Sequence, residues 1–445
     1  MTNPAPDALT DQLDRFFRRT VEGIRPGLDI IQALLASLDN PQDATPYIHV
    51  AGTNGKGSVC ALLSALLNSA GYRTGCYTSP HLQQFNERIQ VSGKPIDDGS
   101  LSRLIRHVEE NADALETEQG LRKATFFECA TAMAFTHFRN AAVDWAVIET
   151  GMGGRWDATN VGVPAVSVIT RIDIDHTNYL GRDPVGIAKE KAGIIKPGVP
   201  VVRGPLPDPI AEVIEEVARE VGAPVWRADE VVSIQRVKQG WDGQRIRIDI
   251  DGRDLRPVQL PLIGRHQLEN AALALTAIEA LQAAGRVAVP DQAIAKGFSA
   301  CRWPGRCQLL SNDPVILLDV AHNPDGARAL SQTIRELCGK QPVGLVVGFL
   351  GDKDIAGCVN ELAAVAKRFW VVPIQHPRAA PVDEVSRVVA AARRPVDAGS
   401  LQAMIDEARA WAVEEGGIIC IAGSLYLAGE VLDELGGSTS MRRVD

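Results

Sequence analysis

The 445-residue chain reads as an α/β protein of two domains, each built on a mostly parallel sheet covered by helices. Three observations predict this class. Short apolar runs alternate with longer helix-patterned segments almost throughout. The stretch Val225–Leu262 breaks that rhythm with β-branched runs set between glycines, as a small antiparallel insert does. After Gly297 the alternation restarts, and a chain of this length exceeds one ordinary core.

In the first part the strand candidates are Tyr47–Val50, Arg73–Thr78, Asp144–Glu149, Ala165–Thr170 and Val199–Val202. The first leads through Gly52-Thr53-Asn54-Gly55-Lys56-Gly57-Ser58 into a segment where Val59, Leu62, Leu63, Leu66, Leu67 and Ala70 recur at helical spacing, which predicts an amphipathic helix. Thr125–Phe138 is a further helical pattern. Inside the break, Val231–Val237 and Arg245–Ile250 flank Gly240 and Gly243, so a hairpin or small sheet attached to the first domain is expected. A helix follows from about His266 to Ala284. Beyond Gly297 the strands are Val315–Val320, Gly344–Val347, Phe369–Val372 and Ile418–Ile421. Helices lie near Pro324–Cys338, Ile355–Arg368 and Leu401–Glu414. This second part reads as a smaller, Rossmann-like doubly wound domain. The division is expected around Phe298–Arg302, giving domains of 1–298 and 299–445, with Gly436–Asp445 as a loose tail.

Composition narrows the function. A hydrophobic content of 45% with 23% charged residues is that of a globular protein, and a net charge of −9 argues against general affinity for nucleic acid or anionic membranes. An acidic protein with an anionic substrate must concentrate positive charge locally, so lysines and arginines beside glycines carry most weight. The eight cysteines, at 60, 76, 129, 301, 307, 338, 358 and 420, are scattered without a CxxC pair, which suits buried thiols in a reducing compartment. The amino terminus is polar with no apolar signal core, and no uncharged apolar run approaches the roughly 20 residues of a membrane helix. A cytoplasmic protein with small-molecule partners is expected.

The glycine-rich turn at 52–58 carries the sharpest chemistry. A strand-to-helix turn points several backbone N–H groups at one spot, where the helix N-terminus adds positive partial charge. Lys56 can reach the outer phosphates of a nucleotide and Ser58 can offer a hydroxyl to Mg²⁺. The loop departs from GxxxxGK[ST], because Gly57 separates Lys56 from Ser58. Glu149 closes the buried strand Trp145–Ile148 ahead of Gly151-Met152-Gly153-Gly154, at the place where a nucleotide enzyme puts its magnesium carboxylate. Ser79, in Thr78-Ser79-Pro80-His81, stands at a strand end, as a turn or as a metal ligand. Asp173, Asp175 and His176 cluster after Val166–Thr170 and suggest a metal. On residues alone, Lys189-Glu190-Lys191 is a solvated, ion-paired helix face. In the second domain Asp319 ends a strand before the cap-and-N1 pair Asn323-Pro324, with Arg306 upstream; nucleotide contacts, or a cap and a surface arginine, fit equally.

Taken in order, these segments resemble the folylpolyglutamate synthase and dihydrofolate synthase family, within the Mur-type amino-acid ligases. The matching stretches are Gly52–Ser58, Ser79-Pro80-His81, Thr125–Glu128, Glu149 with Gly151–Asn160, Asp175-His176-Thr177, Glu190–Gly193, His266–Ala272, Pro304–Arg306 and Leu318–Pro324. The resemblance implies an ATP-binding Mur-ligase-like central domain and a carboxyl-terminal ligase domain. It implies that Thr53, Asn54, Gly55, Lys56, Gly57 and Ser58 hold the ATP phosphates, with Asn270, Arg306 and Asp319 completing the nucleotide site. Ser79 and Glu149 would bind one Mg²⁺, while His176 and a CO₂-carboxylated Lys191 would bind a second, since a carbamate supplies the anionic oxygen that an ammonium cannot. Lys56, His176 and Lys191 would be the catalytic groups. Thr125, Phe126, Phe127, Glu128, Trp156, Asp157 and Ala158 match pterin-contacting positions. Trp156 stands where smaller aliphatic side chains are common.

The implied reaction joins L-glutamate to dihydropteroate or to a reduced folate through an acyl phosphate. The single-module layout resembles the bifunctional bacterial type, and a monomer. Two rivals make different demands. A Mur-type ligase for a nucleotide-linked cell-wall precursor usually carries an additional amino-terminal domain, whereas here the phosphate-loop strand begins near Tyr47. A slow nucleotide switch needs the loop and Glu149 but has no use for Lys191.

Overall fold

A computed structural model of the protein describes residues 6–19, 27–175, 181 and 183–436. The expected ligand His176, and the expected tail beyond Gly436, lie outside the described residues.

The first sheet has eight strands: β1 (Tyr47–Ala51), β2 (Thr74–Tyr77), β3 (Ile89–Val91), β4 (Lys94–Pro95), β5 (Trp145–Glu149), β6 (Val166–Ile169), β7 (Val201–Arg203) and β8 (Val225–Arg227). Their order is β4-β3-β2-β5-β1-β6-β7-β8. All neighbours from β2 to β8 are parallel, and only the edge strands β3 and β4 run antiparallel. β1, β2, β5 and β6 are buried along their whole length, as a parallel sheet covered on both faces requires. β1 is thus central, and whatever follows its carboxyl end sits in mid-sheet.

The helix after β1, Lys56–Ser69, departs from its expected amphipathic character. Cys60, Ala61 and Ser64 are buried together with Val59, Leu62, Leu63, Leu66 and Leu67. It is held between the sheet and two later helices, Arg265–Ala283 and Asp291–Ala300. Small residues on its second face let those helices approach: a Cβ on Gly297 would lie 2.9 Å from the Ala65 carbonyl.

The break in the rhythm is a three-stranded antiparallel sheet, β9 (Val232–Gly240), β10 (Gly243–Ile250) and β11 (Arg253–Leu260), in the order β11-β10-β9. Alternation puts Ile246, Ile248, Ile250, Leu255, Val258 and Leu260 on one face, which packs into the core of the phosphate-loop helix. The third sheet comprises β12 (Gln308–Asn312), β13 (Val315–Leu318), β14 (Val343–Val347), β15 (Arg368–Val371), β16 (Val396–Ala398) and β17 (Ile418–Ala422), in the order β12-β13-β17-β14-β15-β16. It is parallel apart from β12, the doubly wound pattern expected.

One helix boundary differs from expectation. The helix expected over Ile355–Arg368 ends at Ala363, because Arg368 already opens β15. The helix Asp291–Ala300 ends inside the stretch Phe298–Arg302. The helices Pro6–Phe17, Asp29–Ser37 and Asp98–Gln119 were not anticipated; with Phe126–Asn140 they build a separate core on the face of the sheet that carries Tyr47 and Ile148.

Candidate active site

The carboxyl ends of β1, β2, β5 and β6 open onto a cleft of about 1700 Å³ whose far wall comes from the third sheet. The phosphate loop lies at its floor. Gly52 has φ +155 and a Cβ there would sit 1.8 Å from Thr170 Oγ1; Gly55, φ +91, would bring a Cβ 2.4 Å from Asn270 Oδ1. Only glycine lets the backbone pass so close to β6 and to the helix Arg265–Ala283. The Thr53 amide donates to the Arg171 carbonyl (2.7 Å) and Thr53 Oγ1 to the Asp173 carbonyl (2.8 Å). Lys56 folds across the loop, its Nζ donating to the carbonyls of Gly52 (3.1 Å) and Thr53 (3.2 Å). Ser58 Oγ is buried and accepts from Gln267 Nε2 at 3.3 Å, and Asn270 Nδ2 donates to Gln267 Oε1 at 3.0 Å. Above Gly57 lies the Trp303 ring, which a Cβ would meet at 2.8 Å.

Ser79 and Glu149 come together from the ends of the adjacent parallel strands β2 and β5. The Ser79 amide donates to Glu149 Oε2 at 3.1 Å. Burial raises the Glu149 pKa, opposed by Lys56, the Ser79 amide and Arg306. A buried carboxylate and a hydroxyl are hard oxygen donors of the kind Mg²⁺ takes. Among the described residues no group of three or more His, Cys, Asp or Glu converges, so a Mg²⁺ held here would draw its remaining ligands from water and phosphate oxygens.

Lys191 is not on a solvated face. It is 4% exposed on the helix Pro184–Ala192, and its Nζ donates to the Gly52 carbonyl at 2.7 Å. Burial, with Lys56 as a like charge, pushes its pKa down to about 7, against the pull of Asp175 and Asp157. A hollow of about 10 Å³ lies beside it and the loop, bordered by Thr53, Lys56, Met152 and Asp175. There is space for a single small species beside an amine that is about half unprotonated at pH 7. Asp173, which the sequence grouped with Asp175 and His176, does not line the cleft; its Oδ1 accepts from the Ile174 amide.

The positions expected to contact a pterin form one end of the cleft. Thr125 and Glu128 cap the helix Phe126–Asn140 reciprocally, and Arg122 grips Glu128 (2.7 and 2.9 Å), so both are structural as well as pocket-lining. Phe126 stacks on Phe17 with ring centroids 5.0 Å apart at 30°. The Phe127 ring lies over Gly151, where a Cβ would approach to 2.4 Å. Trp156, 52% exposed, stands at the rim beside the buried Ala158. Asp157 is buried, its Oδ2 accepting from the Met152 amide (2.8 Å) and its Oδ1 from the Thr159 amide (3.0 Å), and burial raises its pKa.

Across the cleft, Arg306 is half-buried on the loop before β12; desolvation lowers its pKa while Asp319 and Glu149 support its charge. Asp319 accepts from the amides of Cys307 and Ala321, both at 2.8 Å, so its carboxylate ties Arg306's loop to the end of β13. Asn323 does cap its helix, accepting from the Gly326 amide, and also exchanges two hydrogen bonds with Asn54 (3.0 and 3.1 Å). Asp325 accepts from Asn54 (2.9 Å) and pairs with Arg171 (2.9 Å). Asp175 pairs with the buried Lys353, with His322 Nε2 at 3.5 Å. Sequence reasoning missed these cross-lobe partners, and also Arg88, buried with its guanidinium 5.3 Å from the centre of the Phe126 ring, and Phe17. No local pattern signals a pairing across some 270 residues; Arg88 reads as a lone base among polar neighbours.

Comparison with known proteins bears on this geometry. Residues 50–278 match the Mur ligase middle domain and residues 305–425 the Mur ligase glutamate ligase domain. A folylpolyglutamate synthase of Lacticaseibacillus casei is 39% identical over 416 residues, covering 92% of this chain and 94% of that one. A dihydrofolate synthase/folylpolyglutamate synthase of Mycobacterium tuberculosis is 40% identical over 377 residues, 82% and 77% of the two chains. Among solved structures, Mycobacterium tuberculosis folylpolyglutamate synthase complexed with ADP and AMPPCP superposes with a TM-score of 0.90 at 36% identity, covering 97% of this chain and 99% of that one. An FPGS–AMPPCP–folate complex superposes with a TM-score of 0.84 at 34% identity, covering 96% and 99%.

Proposed function

The chain belongs to the folylpolyglutamate synthase and dihydrofolate synthase family of Mur-type, ATP-dependent ligases, and from that premise we propose that it adds L-glutamate both to dihydropteroate, giving dihydrofolate, and to the γ-carboxyl of reduced folates. The observation that carries the reading is the buried Glu149, flanked by Lys56 from the phosphate loop and by Arg306 from the opposite lobe. A buried carboxylate between two cations, one from each side of a cleft, suits a triphosphate clasped between lobes.

Thr53, Asn54, Gly55, Gly57 and Ser58 would cradle the phosphates through backbone amides and the helix N-terminus, with Asn270, Arg306 and Asp319 at the nucleotide's other contacts. The substrate carboxylate attacks the γ-phosphorus, giving an acyl phosphate and ADP. Lys56, released from the Gly52 and Thr53 carbonyls, and Arg306 offset charge on the transferring group. The amine of glutamate then attacks the acyl carbon and phosphate leaves. Enclosure by Asn54–Asn323 and Arg171–Asp325 keeps water from hydrolysing the acyl phosphate. Ser79 and Glu149 would hold one Mg²⁺, and His176 with Lys191 a second. These ions supply charge neutralisation at the phosphates when bound. The lowered pKa of Lys191 favours addition of its neutral Nζ to CO₂, forming an N–C bond and releasing a proton, which leaves an anionic carbamate. Phe126, Phe127, Trp156, Asp157 and Ala158, with Thr125 and Glu128 behind them, would receive the pterin.

All eight cysteines are free and buried, and no helix among the described residues is long and apolar enough to cross a membrane. We place the enzyme in the cytoplasm as a monomer, with the cleft complete within one chain and two domains joined near residues 298–307. The test is mass analysis of products from dihydropteroate and from tetrahydrofolate, each with ATP and glutamate. Both are expected to gain glutamate. Extension of tetrahydrofolate alone would make the enzyme monofunctional, and phosphate release only with a cell-wall precursor would overturn the reading.

A further inference from the structure

His49 lies on the central strand β1 and is fully buried. Burial, reinforced by Lys196, holds its pKa down to about 3, so the ring is neutral. Its Nε2 is 2.8 Å from Thr159 Oγ1, and Thr159 Oγ1 in turn donates to Asp157 Oδ1. A threonine hydroxyl has one proton. That proton goes to the Asp157 carboxylate, so His49 Nε2 must be the donor in the other bond. The ring is therefore the Nε2–H tautomer, and Nδ1 is left as a buried lone pair with no partner among the described residues. An apolar residue would avoid that orphaned atom at no loss of packing. The polar ring earns its place only through Thr159.

We propose that His49 is a positioning residue for the heteroaromatic substrate: through Thr159 it fixes the orientation of Asp157 at the substrate end of the cleft. The inference rests on the reading of Asp157 as a substrate contact. Each link in the chain polarises the next, so the donor from His49 strengthens the hydroxyl that Asp157 accepts. Asp157 also accepts from the Met152 amide, and Asn160, three residues on, donates to the Arg155 and Gly193 carbonyls. The aspartate is thus the joint between β1 and the loop that borders the substrate.

Steady-state kinetics with tetrahydrofolate tests this. His49→Leu and Thr159→Val are each expected to raise the KM for tetrahydrofolate about tenfold, with kcat and the KM for ATP within about twofold. Their effects should not multiply in the double variant, because both cut one chain. His49→Gln, which keeps a donor at the same reach, and Thr159→Ser should stay near the parent. An unchanged KM in His49→Leu while Asp157→Asn raises it overturns the relay, as does multiplication in the double variant. If His49→Leu fails to fold, the Thr159→Val and Thr159→Ser pair decides: equal KM values in the two overturn it. If Asp157→Asn ligates with an unaltered KM, the substrate role of Asp157 falls and the relay with it, while the ligase reading stands.

Discussion

The Nζ of Lys191 lies 2.7 Å from the Gly52 carbonyl oxygen, at the start of the glycine-rich turn after β1. Burial brings its pKa to about 7, against 10.5 for a free side chain. Between those values the unfolded chain binds more protons than the folded one, so stability rises with pH across that window and the penalty is complete below it. Lys191→Met should therefore melt above the parent in CO₂-free buffer at about pH 6, with the difference shrinking as pH rises toward 10. The same variant should lose ligation by at least about 100-fold while still binding AMPPCP, measured by phosphate release and by titration.

Glu149 shows the opposite sign. Its folded pKa is raised by burial, so the folded chain holds its proton more tightly than the unfolded one above pH 4.5, and stability falls as pH climbs through that range. Glu149→Gln, with no charge to bury, should gain in melting temperature relative to the parent as the pH rises above 4.5. Its kcat/KM should drop by about 10²–10⁴.

Asp175 and Lys353 form a buried pair that joins the lobes, with side chains 8% and 9% exposed. Asp175→Ala leaves an ammonium buried without that carboxylate, and should cost about 3 kcal/mol in urea denaturation. The double variant Asp175→Leu with Lys353→Met should recover most of the loss, because the desolvated charge is gone from both sides.

Gly151 is the surface on which the Phe127 ring rests. Gly151→Ala would place a methyl 2.4 Å from Cζ, and the ring must swing into the cleft to clear it. The KM for tetrahydrofolate is expected to rise at least about tenfold, with AMPPCP affinity unchanged, since the phosphate loop lies beyond the contact.

Where local chemistry dictates structure, the sequence was legible. The alternation of apolar runs with helical patterns announced both doubly wound sheets, and glycine spacing announced the phosphate loop and the loop after Glu149. Ser79 and Glu149 could each be set at a strand end from the sequence, while their pairing was implied only by the family resemblance. Helix ends were less legible: Ile355–Arg368 carries one unbroken apolar pattern, yet the chain turns after Ala363 to enter β15. The residues Lys189-Glu190-Lys191 look like a solvated face because charge in sequence carries no information about which side of a short helix meets a core.

By itself, then, the amino-acid order determined the class of fold, the order of its sheets along the chain and the glycine-rich strand-to-helix turn, since propensity, periodicity and glycine backbone freedom act over a few residues. Tertiary structure alone decided that Lys191 is dry, that His49 must donate to Thr159, and that Asn54 and Asp175 meet Asn323 and Lys353 from the other lobe. Those outcomes depend on desolvation and on hydrogen-bond pairing between groups far apart in the chain, which exist only once the first lobe has folded and, for the last two pairs, once the second lobe meets it.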